Sequence, residues 1–313
     1  MTSADLRLGA GAGPLGRGAR WSRLVRRHSH WLFSLPAIAF VALFFGYPIV
    51  QNVVMSFQEY TTETFYTGEA PWVGLANYVT SLSSSLFTTT VVNTALFTIG
   101  SISFQFTIGL ALALFFKRNF PLSGFLRSLL LLPWLLPLIA SSAVWKWILD
   151  QESGVLNQFL GLFGIAPVPW LVSPGLALAG VIGVNIWLGI PFNVAILYSG
   201  LQAVPRELYE AGALDGAVGR KAFRHITWPS IRPVVSVVMV LGVVYTLKVV
   251  DIILGLTGGG PANSTQTLAT NAYNKSFVEF DFGQGAALSN ILIVVSLAFS
   301  LVYLYISRRE PDE

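Results

Sequence analysis

The chain has 313 residues, 54% hydrophobic and 11% charged, with a mean hydropathy of +0.65. A soluble domain carries about 25% charged residues, so this composition argues against one or two soluble domains and for a single membrane bundle. Cysteine is absent, which excludes disulfides, thiolate nucleophiles and cysteine-bound metals, and the formal net charge is +4.

Residues 1–30 are rich in Gly and Arg and read as a basic, disordered cytoplasmic tail held at the lipid surface by charge. Within it, Gly11–Gly16 fits G-x-G-x-x-G but follows no strand, so it carries no weight as a dinucleotide site. His28 and His30 have no acid beside them and read as interfacial bases rather than metal ligands. A first span is expected over Trp31–Phe57. It is too long for a signal core and lacks a clean small-x-small cleavage site. Further spans are expected over Phe87–Phe116, Ser128–Ile148, Leu176–Gly200, Trp228–Val250 and Ala286–Ser307. A span needs about 20 apolar residues to cross roughly 30 Å of hydrocarbon. In the fifth, Arg232 and Lys248 stand so close that one or both must snorkel or face protein.

Three outer connections are long: Gln58–Leu86, Asp150–Pro174 and Asp251–Gly285. Asp150 and Glu152 are expected at the outer membrane face. In the third connection, Leu256–Pro261 (LTGGGP) reads as a turn. After it, Leu268, Ala272, Tyr273 and Phe277 recur at helical spacing. They mark a short helix, either at the outer interface or simply on the surface of the loop. Lys248 and Asp251 are spaced i, i+3 to pair at an outer gate, and snorkelling accounts for Lys248 equally well.

Orientation follows from Lys and Arg, which are enriched in cytoplasmic loops. With six spans and an inner N-terminus, sixteen of the 19 fall inside; only Lys146, Lys248 and Lys275 fall outside. The basic balance is therefore a topology signal, and no nucleic-acid partner is implied.

This places the segment Glu207–Phe223 (ELYEAGALDGAVGRKAF) in the cytoplasm. Pro205 suits the first turn of a helix. Glu207 and Glu210 then lie near its positive end. Ala211, Gly212 and Ala213 offer a small surface for close approach. Asp215 can cap a second helix running to about Thr227, and Gly216 permits a bend between the two. Pro229 marks entry into the fifth span. Taken alone, the segment reads equally as a connecting loop.

Val204–Pro233 resembles the cytoplasmic EAA loop of binding-protein-dependent ABC import permeases. Glu210, Ala211, Asp215, Gly216, Ala217, Phe223, Ile226 and Pro229 match the pattern. Gly212 replaces its second alanine, which keeps the residue small and loosens the helix by about 1 kcal/mol. Leu35–Phe57, Trp72–Tyr78 (WVGLANY), Asn185–Phe192 (NIWLGIPF) and Leu256–Leu268 resemble sugar permeases of the maltose and glycerol-phosphate type. The resemblance implies an all-α integral membrane protein with the type I ABC importer permease fold: six transmembrane helices, a first arm and a five-helix core. The permease domain is 31–307, the coupling loop 204–233, and both termini, including the tail 308–313, are cytoplasmic.

It also implies partners: a second homologous permease, two ATPase subunits, an extracytoplasmic solute-binding protein and the lipids of a bacterial plasma membrane. ATP and Mg are expected on the ATPase. No G-x-x-x-x-G-K-[ST] occurs here, so neither a cofactor nor a metal is expected on this chain. The residues implied for ATPase coupling are Leu208, Tyr209, Glu210, Ala211, Gly212, Asp215 and Gly216. Glu210 would be the charged contact, Leu208 and Tyr209 the apolar grip, and Asp215 and Gly216 the elbow. Those implied for the solute are Asn185, Leu188, Gly189 and Phe192 on the fourth span, and Gly242, Tyr245 and Thr246 on the fifth. Sugars present hydroxyls to amides and C–H faces to aromatic rings. Helix packing is the competing role for Gly, Asn and Thr in membranes. An ion-coupled carrier is the alternative function; it needs acids at span centres, and none stands there. No arrangement of residues suggests catalysis.

The charge count yields a topology test. A reporter at Arg220–Arg224 will be shielded from impermeant reagents in intact cells, and one at Asn263 will be labelled. Labelling with the opposite pattern overturns the six-span threading.

Overall fold

The computed structural model describes residues 34–118 and 120–309. The readings of Gly11–Gly16, His28 and His30 lie outside them. The chain divides into two units, Met1–Val54 and Met55–Glu313.

The first unit's described part is almost the whole of helix α1 (Ser34–Met55). Ala42–Gly46 forms a π turn within it. None of its residues is buried. A helix apolar on all sides needs lipid or another protein around it.

The second unit begins with two short helices, α2 (Thr62–Thr67) and α3 (Ala76–Ser83), before the long α4 (Ser85–Phe116). The expected third span is not one helix. It is broken into α5 (Ser123–Leu135) and α6 (Leu138–Ile148), bent by 98°. The cause is local. A residue before proline is driven out of the helical region, and Leu136, before Pro137, adopts φ −78°, ψ 140°. Helix α7 (Val155–Gly161) follows in the second outer connection. Asn157 pins that connection: its amide oxygen accepts from Val168 N and Trp170 Nε1, and its nitrogen donates to the Val168 carbonyl.

Next come α8 (Pro174–Gln202), α9 (Arg206–Leu214) and α10 (Arg220–Leu247). The fifth span does not start at Pro229. Helix α10 begins nine residues earlier and carries a π turn over Phe223–Thr227. A proline ring crowds the carbonyl four residues before it. The wider turn just ahead of Pro229 lets the helix continue. After α10, Lys248–Val250 turn the chain into α11 (Asp251–Thr257). Helices α12 (Leu268–Phe277) and α13 (Phe282–Arg309) complete the unit. Among the described residues, five helices are long and apolar enough to span a membrane, and counting the bent α5–α6 pair as one broken span gives six.

Helices α4 and α8 pack side by side, α10 packs on both, and α11 packs on α6 and α8. Two of the apolar core clusters run along them. One gathers Phe97, Val181, Val184, Leu188 and Ile252, and the other Ala113, Leu197, Leu201, Ile231 and Val235.

The LTGGGP turn is present, with Gly258 and Gly259 at φ 64° and 89°. The helix after it is only half on the surface: Tyr273 and Phe277 are exposed, but its first turns are not. Leu268 through Ala272 are buried, and Leu268 and Ala272 pack on Leu288 of α13. Polar ties hold it in. Leu268 N donates to Thr94 Oγ1 at 2.9 Å, and Asn93 Nδ2 donates to the carbonyls of Asn263 and Gln266 at 3.2 and 3.0 Å. Asn93→Ala will remove both bonds, leaving the Asn263 carbonyl with Gln266 N alone and the Gln266 carbonyl without this donor, and cost about 1–3 kcal/mol. Thermal unfolding in detergent measures it; an unchanged midpoint refutes the tie.

Candidate functional site

A cavity of about 410 Å³ opens between α4, α5, α6, α8, α10 and α11. Helix α8 contributes Asn185, Leu188, Gly189 and Phe192, and α10 contributes Gly242, Tyr245 and Thr246. All seven residues singled out in the two spans thus face one space. That space lies between the two apolar clusters: on α4, Phe97 belongs to one, Ala113 to the other, and Gln105 stands between them at the cavity.

Sequence reasoning missed Gln105, Trp134 and Leu138 as lining residues. A lone amide inside the apolar run of α4 was the available signal for Gln105. Trp134 and Leu138 flank the Pro137 break, so they become visible only once the span is known to bend.

Three aromatic rings form a wall. Trp134 and Phe192 have centroids 6.0 Å apart at 56°, and Phe192 and Tyr245 are 5.9 Å apart at 81°, edge to face. Lys248 Nζ caps the row, 4.6 Å from the Tyr245 centroid. Lys248 and Asp251 both border the cavity without forming an ion pair; Lys248 turns to the ring instead. The polar side of the cavity holds Gln105, Asn185 and Thr246, each 5% exposed. Gln105 Nε2 donates to the Asn185 main-chain oxygen at 2.8 Å, while Asn185 Nδ2 is buried without a partner. Rings and amides around one space suit a neutral, hydroxyl-rich solute.

The second candidate region is α9 and its elbow. Pro205 stands just before the first turn, as the N-cap. Asp215 does not cap a following helix. It is the C-cap of α9, and the next helix starts at Arg220 behind Gly219. The reason is a Schellman closure: Ala217 N donates to Gly212 O at 2.7 Å and Gly216 N to Ala213 O at 3.1 Å. This places Gly216 at φ 75°, where a side chain is strained. The second arm of the elbow is also not a short helix, since α10 continues from it into the span.

Tyr209 does not face outward. It packs against the Leu197–Ile231 cluster. Lys117 Nζ donates to its hydroxyl at 2.8 Å, and Thr227 Oγ1 shares a hydrogen bond with the same oxygen at 2.9 Å. Tyr209 therefore seats α9 on the bundle and is not a free apolar grip. Gly212 helps: a Cβ there would lie 2.5 Å from Ile226 Cδ1. The outer face presents Leu208, Glu210 and Ala211. It also presents Leu214, 91% exposed, and Val218, which sequence reasoning missed. Glu210 meets no cation among the described residues. A cavity of about 670 Å³ opens beside α9 between Lys117, Gln202, Arg206, Tyr209 and Glu210.

Residues 105–310 match the family described as the binding-protein-dependent transport system inner membrane component. The chain belongs to this family: it is a multi-pass permease component of an ABC importer. The trehalose/maltose transport system permease protein MalF of Thermococcus litoralis is 34% identical over 282 residues, covering 90% of this chain and 94% of that protein. The sulfoquinovosyl glycerol transport system permease protein SmoG of Agrobacterium fabrum is 33% identical over 294 residues, covering 94% and 95%. The diacetylchitobiose uptake system permease protein DasB of Streptomyces coelicolor is 30% identical, covering 99% and 96%. Among solved structures, a chain of a bacterial ABC transporter involved in import of the acidic polysaccharide alginate shares the fold. Its TM-score is 0.80 at 23% identity, over 94% of this chain and 100% of that one.

The Tyr209 geometry yields a prediction. Tyr209→Phe removes both hydrogen bonds and will loosen the seat of α9 by about 1–2 kcal/mol. Faster hydrogen exchange over 206–214 is the expected readout; unchanged exchange shows that packing alone holds the helix.

Proposed function

We propose that this chain, paired with a second homologous permease, forms the path by which a sugar or related carbohydrate crosses a bacterial plasma membrane. The cavity carries this reading. Its aromatic wall suits the C–H faces of a sugar ring, and the amides that line the same space suit its hydroxyls. It lies along the middle of α8 and at the end of α10, beside the α5–α6 break, and transporter sites form between broken helices. The relatives named for trehalose/maltose, sulfoquinovosyl glycerol and diacetylchitobiose support the same class.

An extracytoplasmic binding protein delivers the solute. ATP and Mg are held by two separate ATPase subunits, and this chain contributes no cofactor, metal or catalytic group. Helix α9 docks on one ATPase. Glu210 meets a cation of the ATPase, and Leu208, Leu214 and Val218 supply apolar contact around Ala211 and Gly212. Asp215 and Gly216 hold the elbow. Motion of the ATPase then passes into α10, whose far end carries Gly242, Tyr245 and Thr246. The ion-coupled alternative has no observation in its favour: α4, α8 and α10 contain neither Asp nor Glu.

Glu210→Lys and Gly216→Val will insert normally, because neither residue lies in a span. The first repels the docking cation, and the second strains a left-handed position with a β-branched side chain. Both will lose capture of the ATPase, or lose its stimulation by loaded binding protein. Both will lose ATP-driven sugar uptake into vesicles. Collapsing ion gradients will leave wild-type uptake intact. Normal capture and uptake in both variants overturn the coupling role, and uptake that needs a gradient but no ATP overturns the importer mechanism.

A further inference from the structure

Gln105 is an amide in the middle of an apolar helix, in the stretch Ser101–Gly109 (SISFQFTIG). Burying it is costly unless its polar atoms find partners. Only half of it does. Nε2 donates to the Asn185 carbonyl at 2.8 Å. Because a carbonyl can only accept, this bond fixes which end of the amide faces α8. Oε1 takes no hydrogen bond from the described residues.

The fit against α8 is close. A Cβ on Gly189 would lie 2.2 Å from Gln105 Cδ and 2.6 Å from Oε1, so the glycine leaves the notch that the amide fills. One helical turn from Gly189 on α8, Asn185 presents the complementary defect. Its Nδ2 is buried and has no acceptor. The residues that carry a free acceptor and a free donor therefore both border one cavity, and the Gln105–Asn185 hydrogen bond holds them together.

Few groups answer both. A carboxylate accepts from Asn185 but offers nothing to Gln105. An ammonium donates to Gln105 but cannot accept. A hydroxyl does both at once. We propose that Gln105 and Asn185 together read one hydroxyl of the transported solute, which makes Gln105 a specificity-determining residue. This rests on the carbohydrate reading above. A site built to pair a hydroxyl discriminates against the analogue that lacks it, because its own polar groups are then left unpaired. The aromatic wall accepts many ring faces; the amide pair demands a hydroxyl at one position.

The test uses the complete transporter in vesicles, with its binding protein. Wild type is first offered a broad panel of neutral mono-, di- and oligosaccharides. The monodeoxy and deoxyfluoro series of the carried sugar follow. Gln105→Leu is expected to lower uptake efficiency of the parent sugar about three- to tenfold. On one analogue, the one missing the read hydroxyl, Gln105→Leu and wild type will be equal. On every other analogue the variant will keep its deficit. Comparing both proteins with the same binding protein cancels that protein's own selectivity. The deoxyfluoro analogue at the read position accepts but cannot donate, so it too will abolish the difference. Gly189→Ala, which displaces the Gln105 amide, is expected to give the same pattern if Gln105→Leu fails to assemble with the ATPase. An equal deficit on all analogues makes Gln105 a packing amide and overturns the proposal alone. Wild-type uptake of no saccharide overturns the carbohydrate reading as well.

Discussion

In hydrocarbon there is no water to satisfy a free N–H or C=O, so a spanning chain must pair its backbone internally. That constraint explains why the spans are helices, and it makes each interruption informative. Among the described spans of the second unit, two stand out: the bend at Leu136–Pro137 and the turn at Lys248–Val250. Both border the same cavity. Trp134 and Leu138 flank the first, and Lys248, Val249 and Asp251 belong to the second. The half-helices that follow them, α6 and α11, pack on each other. Irregular backbone is tolerated at membrane depth where protein or a cavity surrounds it. Each break also frees a stretch of chain from the helical repeat, so side chains can be aimed inward that a straight span would send elsewhere.

Much of this was legible in the sequence, for identifiable reasons. The spans follow from uncharged length, and α4, α8 and α13 begin within a few residues of where hydropathy places them. The seven cavity residues on α8 and α10 came from motif resemblance, and the structure gathers them around one space. What was hidden depended on contacts distant in sequence or on competition between local signals. Gln105 is 80 residues from its partner Asn185, and nothing around it marks it as more than a tolerated amide. The motif resemblance puts Tyr209 in an apolar grip, yet Lys117 and Thr227 draw its hydroxyl inward. Asp215 is a good N-cap by type, but Gly216 beside it closes the preceding helix first, and one residue cannot serve both ends. The Pro137 break was readable in principle, since the residue before proline resists the helical region. Continuous hydropathy over Ser128–Ile148 masked it.

The link between the two candidate regions is a matter of stiffness. Helix α10 begins at Arg220, at the elbow, and carries Gly242 and Tyr245 at the cavity. Those 22 residues span about 33 Å at 1.5 Å each. A helix of that length, packed on α4, α8 and α13, transmits displacement with little loss, whereas a loop would absorb it. The joint at its lower end must then be equally firm. Three independent contacts make it so: the Schellman closure at Gly216, the Tyr209–Thr227 hydrogen bond between α9 and α10, and the approach of Gly212 to Ile226. Two of the three tie α9 directly to α10 and not merely to the bundle. A force applied to the exposed face of Leu208, Glu210 and Leu214 is thus delivered to the π turn at Phe223–Thr227. From there α10 is a stiff path that ends beside the rings and amides of the cavity.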